Sequence, residues 1–335
     1  MKFLLIRLSS IGDIVLTTPV IRCLKTQVAT AEVHYLTRHR FQPIVESNPY
    51  IDKIHYVQND LSEVIRLLQA EDYDYVIDLH HNVRSLKIKK ALGKKSYSFS
   101  KLNIEKWIYT TFKVNQLPRI HIVQRYLKTI EHFGIKDDGR GLDYFIADKD
   151  RVKEQDIPAS HHAGYISIVI GAAHATKKLP VKKLVTLCST IDHPIILLGG
   201  KEDYEHGERI AQQDPGKIYN ACGKFNLNES ADLVNRSKLV ISHDTGLMHI
   251  AAAFRKPILS VWGNTVPAFG MTPYYGSAGN QEQSLSDVFE VQGLQCRPCS
   301  KIGYRKCPRG HFKCMRNQNL DAIVQRTYER LGRSQ

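Results

Sequence analysis

Short apolar runs and helix-period stretches alternate along this chain. Residues 2–8 form an apolar run closed by Ser9-Ser10-Ile11-Gly12, and residues 13–25 carry apolar positions at helical spacing. Residues 33–36, 53–57 and 75–79 are short and rich in Val, Ile and Tyr, which predicts strands, and residues 61–70 between two of them repeat at helix period. A helix over 120–133 ends at Gly134. A polar stretch, 136–160, with Gly139, Gly141 and Pro158, reads as the transition between domains. The pattern then restarts: strand 165–170, helix 181–190, strand 194–198, strands 237–242 and 257–262 with helix 244–254 between them, and an amphipathic helix 320–331. There is no sequence repeat, only a repeated architecture. The expected class is α/β, with two Rossmann-like doubly wound domains, 1–150 and 160–319, facing one another across a cleft. In such sheets ligands bind beyond the carboxyl ends of the strands.

Length agrees, since 335 residues suggest two domains. A chain with 42% hydrophobic and 24% charged residues is too apolar to be disordered. The wholly apolar runs, such as Ile195–Leu198, fall far short of the about 18–20 residues of a membrane span. The N-terminal apolar run is broken by Arg7, so it reads as a first strand and not a signal peptide, which points to the cytoplasm. The net charge of +14 is clustered. From Arg84 to Lys128 there are twelve basic residues against Glu105 alone, and from Gly293 to Arg316 seven with no acid. Clustering suggests an anionic partner: nucleic acid, an acidic membrane surface or a phosphorylated substrate. A solvated face that aids solubility is the plainer alternative.

No GxGxxG, GxxxxGK[ST] or HExxH signature occurs, so the usual marks of a dinucleotide oxidoreductase, a P-loop NTPase and a zincin are missing. Four other patterns carry candidate chemistry. Ser10, Gly12 and Asp13 sit at the turn after the first strand, where a carboxylate can serve as general base on a hydroxyl. The same Ser10-x-x-Asp13 spacing also fits a capping box. Gly171-Ala172-Ala173-His174-Ala175-Thr176-Lys177 follows the first strand of the second half, with small residues that admit a phosphate and a lysine to pair with it; an ordinary loop with exposed lysines is the alternative. Asp244-Thr245-Gly246-Leu247-Met248-His249 opens a helix whose free amides suit a diphosphate, against simple capping by Asp244 or Thr245 and core packing of His249. Cys296, Cys299, Cys307 and Cys314 lie within one basic stretch with His311; a structural zinc and free thiols are both open readings. Two weaker candidates are His80, His81 and Arg84 after a first-half strand, and Glu202 after Gly199-Gly200, placed for a ribose or base hydroxyl. Each of these also fits the start of a helix.

Together these positions resemble glycosyltransferase family 9, the ADP-heptose:lipopolysaccharide heptosyltransferases. The resemblance rests on Arg7 to Pro19, on Gly171-Ala172 with Lys177-Lys178-Leu179-Pro180, where Leu179 replaces the family's usual aromatic, and on Asp244 to Ala253. It implies a GT-B fold and an inverting transferase that needs no cofactor for catalysis. The donor, ADP-heptose, would bind the second domain through Gly171, Ala172, Ala173, Thr176, Lys177, Glu202, Asp244, Thr245, Gly246, Leu247 and His249. The acceptor, a phosphorylated lipid A carrying Kdo or a heptosyl-Kdo core, would meet Ser10, Gly12, Asp13, His80, His81 and Arg84. Asp13 would be the base, and Lys177 would stabilise the leaving diphosphate. Helix 320–331 would pack back on the first domain, and the basic stretches would touch the anionic inner face of the inner membrane. Three readings compete: a family 9 enzyme with another nucleotide sugar or acceptor, a catalytically dead scaffold, and a nucleic-acid-binding protein. The last would use Tyr97, Phe99, Trp107, Tyr109 and Phe112 as stacking platforms, but it leaves Asp13, Lys177 and Asp244 unexplained, so no nucleic acid is expected.

Overall fold

The computed structural model describes residues 1–58, 60–276 and 285–332. Among these the chain divides into two units. The first takes residues 1–101, 120–145 and 274–276; the second takes 102–119, 146–273 and the described residues from 285 onward.

The first unit is built on β1 (Lys2–Ile6), β2 (Glu32–Arg38), β3 (Lys53–Val57), β4 (Tyr75–Asp78) and β5 (Lys95–Ser98). They form one parallel sheet in the order β3-β2-β1-β4-β5. The chain winds outward from β1 in one direction and resumes at β4 on the other side, so the winding reverses between β1 and β4. The second unit holds β6 (Ile166–Val169), β7 (Ile195–Leu198), β8 (Ile218–Asn220), β9 (Leu239–His243), β10 (Ile258–Trp262) and β11 (Ser286–Glu290). This sheet is also parallel, in the order β11-β10-β9-β6-β7-β8, with its reversal between β6 and β9. Every residue of β6, β7, β9 and β10 is buried, because helices cover both faces. That is why these strands read in the sequence as mostly apolar runs, with single buried polar residues such as Ser167 and Ser260. Each fully buried Leu, Ile or Val stabilises the sheet by roughly 1.5–3 kcal/mol relative to exposure.

The structure differs from the sequence reading in five places. Residues 13–25 are not one helix. Ile11–Val15 stops, and Thr18–Gln27 starts afresh with Pro19 in its first turn. Proline has no N–H to give the Val15 carbonyl, and the Thr18 hydroxyl donates to that carbonyl instead at 2.8 Å. The expected helix over 120–133 is shorter, Ile122–Leu127, followed by a 3-10 turn at Glu131–Phe133. Strands β5, β8 and β11 went unread; all three are sheet edges, and β5 (Lys-Ser-Tyr-Ser) is mostly exposed, so burial imposes no apolar pattern on it. Finally, helix Leu320–Arg330 does not return to the first unit. It buries Leu320, Ile323 and Val324 in the second unit's core with Leu184, Leu187 and Cys188 of helix Val181–Thr190, and the Tyr328 hydroxyl accepts from the Asp192 amide at 2.8 Å. Its apolar stripe is complementary to the nearest helix of the unit the chain has just built. Residues 102–119, expected in the first domain, belong by their contacts to the second unit.

Candidate functional site

In an open parallel sheet a ligand crevice lies beyond the carboxyl ends of the two strands that flank the winding reversal, so the loops after those strands hold the candidate residues of each unit. In the first unit these loops are Arg7–Ser10, after β1, and residues 79–84, after β4. Asp13 is the third residue of the helix Ile11–Val15. Its Oδ2 accepts from the Ser10 hydroxyl at 2.7 Å and from the Ser10 amide at 3.2 Å, and its Oδ1 meets Arg7 Nη2 at 2.7 Å. Arg7 is only 7% exposed, and it also donates to the carbonyls of Ser9 and Leu79, each at 2.6 Å, and to the Tyr126 hydroxyl at 3.1 Å. The capping reading of Asp13 is therefore true in part, since it satisfies the first amide. A cap does not need a buried guanidinium as well, and that second contact fixes one carboxylate in place at the crevice mouth.

After β4, Asp78 is consumed by the fold. It accepts from the amides of His80 (3.0 Å) and His81 (2.6 Å) and from the Ser85 hydroxyl (2.8 Å), and it pairs with Lys89 at 3.0 Å. It thereby shapes the turn that presents His80. Burial, then the charges of Arg7 and Lys101, push the His80 imidazole down to about 4, so the ring is neutral near pH 7. Its Nδ1 has no hydrogen-bond partner among the described residues. His81 is exposed and tied through Nδ1 to the Phe99 carbonyl at 2.9 Å. Arg84 is exposed at the start of the next helix. Burial, then the charges of Arg84 and Arg40, lower the pKa of Arg38, the last residue of β2. Arg38 and Arg40 were not singled out in the sequence, because nothing along the chain joins them to Arg84.

In the second unit the loop after β6 and the helix mouth after β9 meet. Lys177 Nζ lies 2.6 Å from Asp244 Oδ2 and 3.3 Å from the Asp244 carbonyl. The Thr265 hydroxyl, from the loop after β10, donates to the same Oδ2 at 2.9 Å. Thr245 precedes the helix Gly246–Ala253 and makes no side-chain cap, so its hydroxyl leaves the amides of the first turn open. Uncapped amides, the positive end of the helix dipole and a lysine form a site for an anion. The two adjacent lysines part company here. Lys178 pairs at 2.6 Å with Asp203, a buried carboxylate that also receives the Gly200 amide at 3.1 Å. Gly171 serves this packing, since a Cβ there would lie 2.6 Å from Asp203 Oδ2. Ala172 is half-buried and Ala173 exposed on the open side of the loop.

Two expected donor residues have other surroundings, and a third, Glu202, stands open to solvent beyond β7. Thr176 is buried, and its hydroxyl is engaged by the Tyr304 backbone, giving to the carbonyl at 3.1 Å and receiving from the amide at 2.8 Å. His249 is buried one turn inside its helix, while Gly246 and Leu247 remain partly open at the mouth. Beside these stand His243, the first histidine of the His-Asp-Thr-Gly-x-x-His pattern at this helix mouth, and Asn264, which the sequence reading missed. His243, held down to about 4 by burial, receives the Leu179 amide on Nε2 at 2.9 Å and so pins the end of the phosphate-type loop to β9. Asn264 follows β10 and is 1% exposed, yet neither its amide nitrogen nor its oxygen has a partner among the described residues. A native fold rarely leaves a buried amide unpaired, at about 1–3 kcal/mol per group, unless a ligand completes it.

The cysteine stretch holds free thiols. Cys299 donates to the Cys296 carbonyl at 3.0 Å, and the Cys296 sulfur lies 3.8 Å from His311 Nε2. Burial pushes the Cys299 thiol up to about 11 and the Cys314 thiol up to about 12. Among the described residues, the ligand-type atoms that converge within 4.8 Å belong instead to His34, His55 and Glu71. These close on themselves. The Tyr73 hydroxyl lies 2.9 Å from His34 Nδ1 and 3.0 Å from His55 Nε2, and both Lys2 and Lys53 pair with Glu71. Lys2 and Lys53 start their strands, so this cluster belongs to the amino-terminal edge of the sheet, away from the crevice.

Residues 61–296 match the model of glycosyltransferase family 9 (heptosyltransferase). A lipopolysaccharide heptosyltransferase 1 of Campylobacter coli is 26% identical over 305 residues, spanning 83% of this chain and 86% of that relative. Among solved structures, a family 9 glycosyl transferase of Veillonella parvula superposes with a TM-score of 0.80 at 24% identity, covering 99% of this chain and 98% of that one. ADP-heptose lps heptosyltransferase II of E. coli does so with a TM-score of 0.73 at 16% identity, covering 99% and 98%. The fold is therefore that of the GT-B transferases.

Proposed function

Since the chain belongs to glycosyltransferase family 9, with a matched segment that takes in the second crevice and the loop after β4, we propose that it moves heptose from ADP-heptose to the inner core of a lipopolysaccharide or lipooligosaccharide, with inversion at the anomeric carbon. The observation that carries this reading is the second crevice: Lys177 paired with Asp244 at an uncapped helix mouth, together with the buried Asn264 amide, which has no side-chain hydrogen bond among the described residues. That set suits a sugar diphosphate, with charge for the phosphates and a hydrogen-bonding amide for a hydroxyl. The curated relatives it resembles are named heptosyltransferases, which supplies the sugar.

The mechanism divides between the units. On the first, Asp13 takes the proton of the acceptor hydroxyl as its oxygen attacks, while Arg7 and Ser10 hold the carboxylate in position. Arg38, Arg40 and Arg84 receive acidic groups of the acceptor, and His80 offers a neutral ring to it. Ser10, Gly12 and His81 line the same crevice. On the second unit, charge grows on the departing ADP. Lys177 and the amides of Gly246 and Leu247 stabilise it more in the transition state than before. Gly171, Ala172 and Ala173 admit the diphosphate, and Glu202 receives a ribose hydroxyl. The acceptor is Kdo–lipid A or its heptosyl derivative, met at the anionic cytoplasmic face of the inner membrane.

Calorimetric titration with ADP-heptose, UDP-glucose and GDP-mannose tests the donor. Binding confined to ADP-heptose and weakened in Lys177→Ala supports the reading. Preference for another nucleotide sugar keeps the reaction class and removes the heptose.

A further inference from the structure

The helix Asn103–Phe112 buries none of its residues. One face is held to the second unit, with the Tyr109 ring 6.1 Å from the Phe269 ring and Lys106 Nζ 5.8 Å from its centre. The opposite face carries Ile104 (72% exposed) and Trp107 (57% exposed), and Phe112 and Val114 are exposed at its end. Trp107 and Phe112 touch edge to face at 5.5 Å. A second segment lies against this helix: Lys301 Nζ donates to Asn103 Oδ1 at 3.3 Å, and Lys113 Nζ to the Pro298 carbonyl at 2.8 Å. It exposes Ile302 and Tyr304. Residues 102–119 hold three basic residues and one acid, and residues 293–316 hold seven and none. Of the latter, Lys301, Arg305, Lys306 and Arg309 are exposed.

A surface that is apolar, aromatic and strongly basic at once is unusual on a soluble unit. We propose that these two segments form the surface by which the protein docks on an anionic lipid bilayer, with Trp107 and Phe112 seated at the boundary between headgroups and acyl chains. The composition selects this occupant. Aromatic side chains favour that boundary, and lysines and arginines meet lipid phosphates beside it. Single-stranded nucleic acid would account for the cations and the rings, but Ile104, Val114 and Ile302 have no face for a base to stack on. Among the described residues no helix is long and apolar enough to cross a membrane, so the contact is a seated one. The inference rests on the proposed function in one respect, that a lipid-borne acceptor gives such a surface its purpose.

The chain has two tryptophans, and Trp262 is 1% exposed, so any fluorescence change on docking reports Trp107. The full-length protein would be mixed with phosphatidylcholine vesicles with and without about a quarter phosphatidylglycerol. The expected result is a blue-shifted emission, protection from acrylamide and co-sedimentation, all confined to the anionic vesicles. Ile104→Ser with Phe112→Ser should lower the bound fraction about tenfold while ADP affinity and the melting temperature stay unchanged. An unshifted wild-type emission with no sedimentation overturns the proposal, as does a double variant that binds like wild type. Retention of a random oligonucleotide with no response to vesicles overturns it in favour of nucleic acid. Transfer to a detergent-dispersed acceptor is read separately: its absence in the wild type removes the functional reading, and the vesicle result still decides the docking surface.

Discussion

Substituting Asp13 separates its chemical role from its structural one. Removing a general base costs about 10²–10⁴ in rate, equivalent to about 3–5 kcal/mol of barrier. Asp13→Ala also strips the counter-charge from Arg7, which is buried. Breaking a buried pair costs about 3–5 kcal/mol, and the loss here falls below that range. The Asp13 side chain is 20% exposed, and Arg7 keeps the Ser9 and Leu79 carbonyls and the Tyr126 hydroxyl. Asp13→Asn also removes the charge, but it keeps an oxygen to accept from Ser10 or Arg7, so it loses the basicity with a smaller loss of stability than Asp13→Ala. The informative experiment follows ADP release at saturating donor and acceptor for both variants, with the melting temperature and the ADP dissociation constant measured in parallel. Asp13→Asn should lower kcat by about 10²–10⁴ with a smaller fall in melting temperature than Asp13→Ala. Asp13→Ala should lower kcat similarly and melt earlier. ADP affinity should stay within about twofold in both, because every residue assigned to the diphosphate belongs to the second unit. An Asp13→Asn enzyme within about threefold of wild-type kcat refutes the base assignment. A loss of ADP affinity as large as the loss of kcat refutes the division of labour.

Four shorter predictions follow from the same geometry. Lys177→Ala should weaken ADP by about 1.5–3 kcal/mol, roughly 10–150-fold, while Lys178→Ala, whose partner is the buried Asp203, should lower the melting temperature and leave ADP affinity near wild type; equal effects on binding would refute the distinction between the two lysines. Asn264→Ala deletes a buried amide that has no partner among the described residues, so it should leave denaturant stability almost unchanged and weaken the sugar nucleotide, as calorimetry would read. His55, His80 and His243 are each lowered from 6.5 to about 4, so the unfolded chain binds more protons between those values; stability is complete above about pH 6.5 and each ring removes about 1.4 kcal/mol per pH unit below it, and a melting temperature that stays flat from neutral pH to pH 5 contradicts this. Arg22 is fully buried against Asp138, Asp143 and the Gly141 carbonyl, and Arg22→Ala should cost about 3–5 kcal/mol in urea unfolding with the slope unchanged.

The parts of this molecule that were legible in its sequence share a physical cause. A central strand of a parallel sheet is buried on both faces, so β1, β4, β6, β7, β9 and β10 had to be apolar runs. The polar residues that follow such a run lie at the carboxyl edge of the sheet. Asp13, Lys177 and Asp244 could therefore be read as crevice residues without knowledge of the strand order. Edge strands carry no such constraint, and β5, β8 and β11 were invisible for that reason. The sequence could not distinguish Lys177 from Lys178, since adjacent residues of one type differ only in the partner the fold brings to each: Asp244 at the helix mouth, or Asp203 in the packed loop. Thr176 could not be told from a ligand residue because its partner, Tyr304, is 128 positions away. Asn264 gives the sharpest case. Along the chain it is one polar residue in a loop, and its interest comes from a buried side-chain amide without a partner among the described residues, a property of three dimensions alone. A buried side-chain amide with no partner among the described residues, at about 1–3 kcal/mol per unpaired group, is the kind of group that a ligand completes.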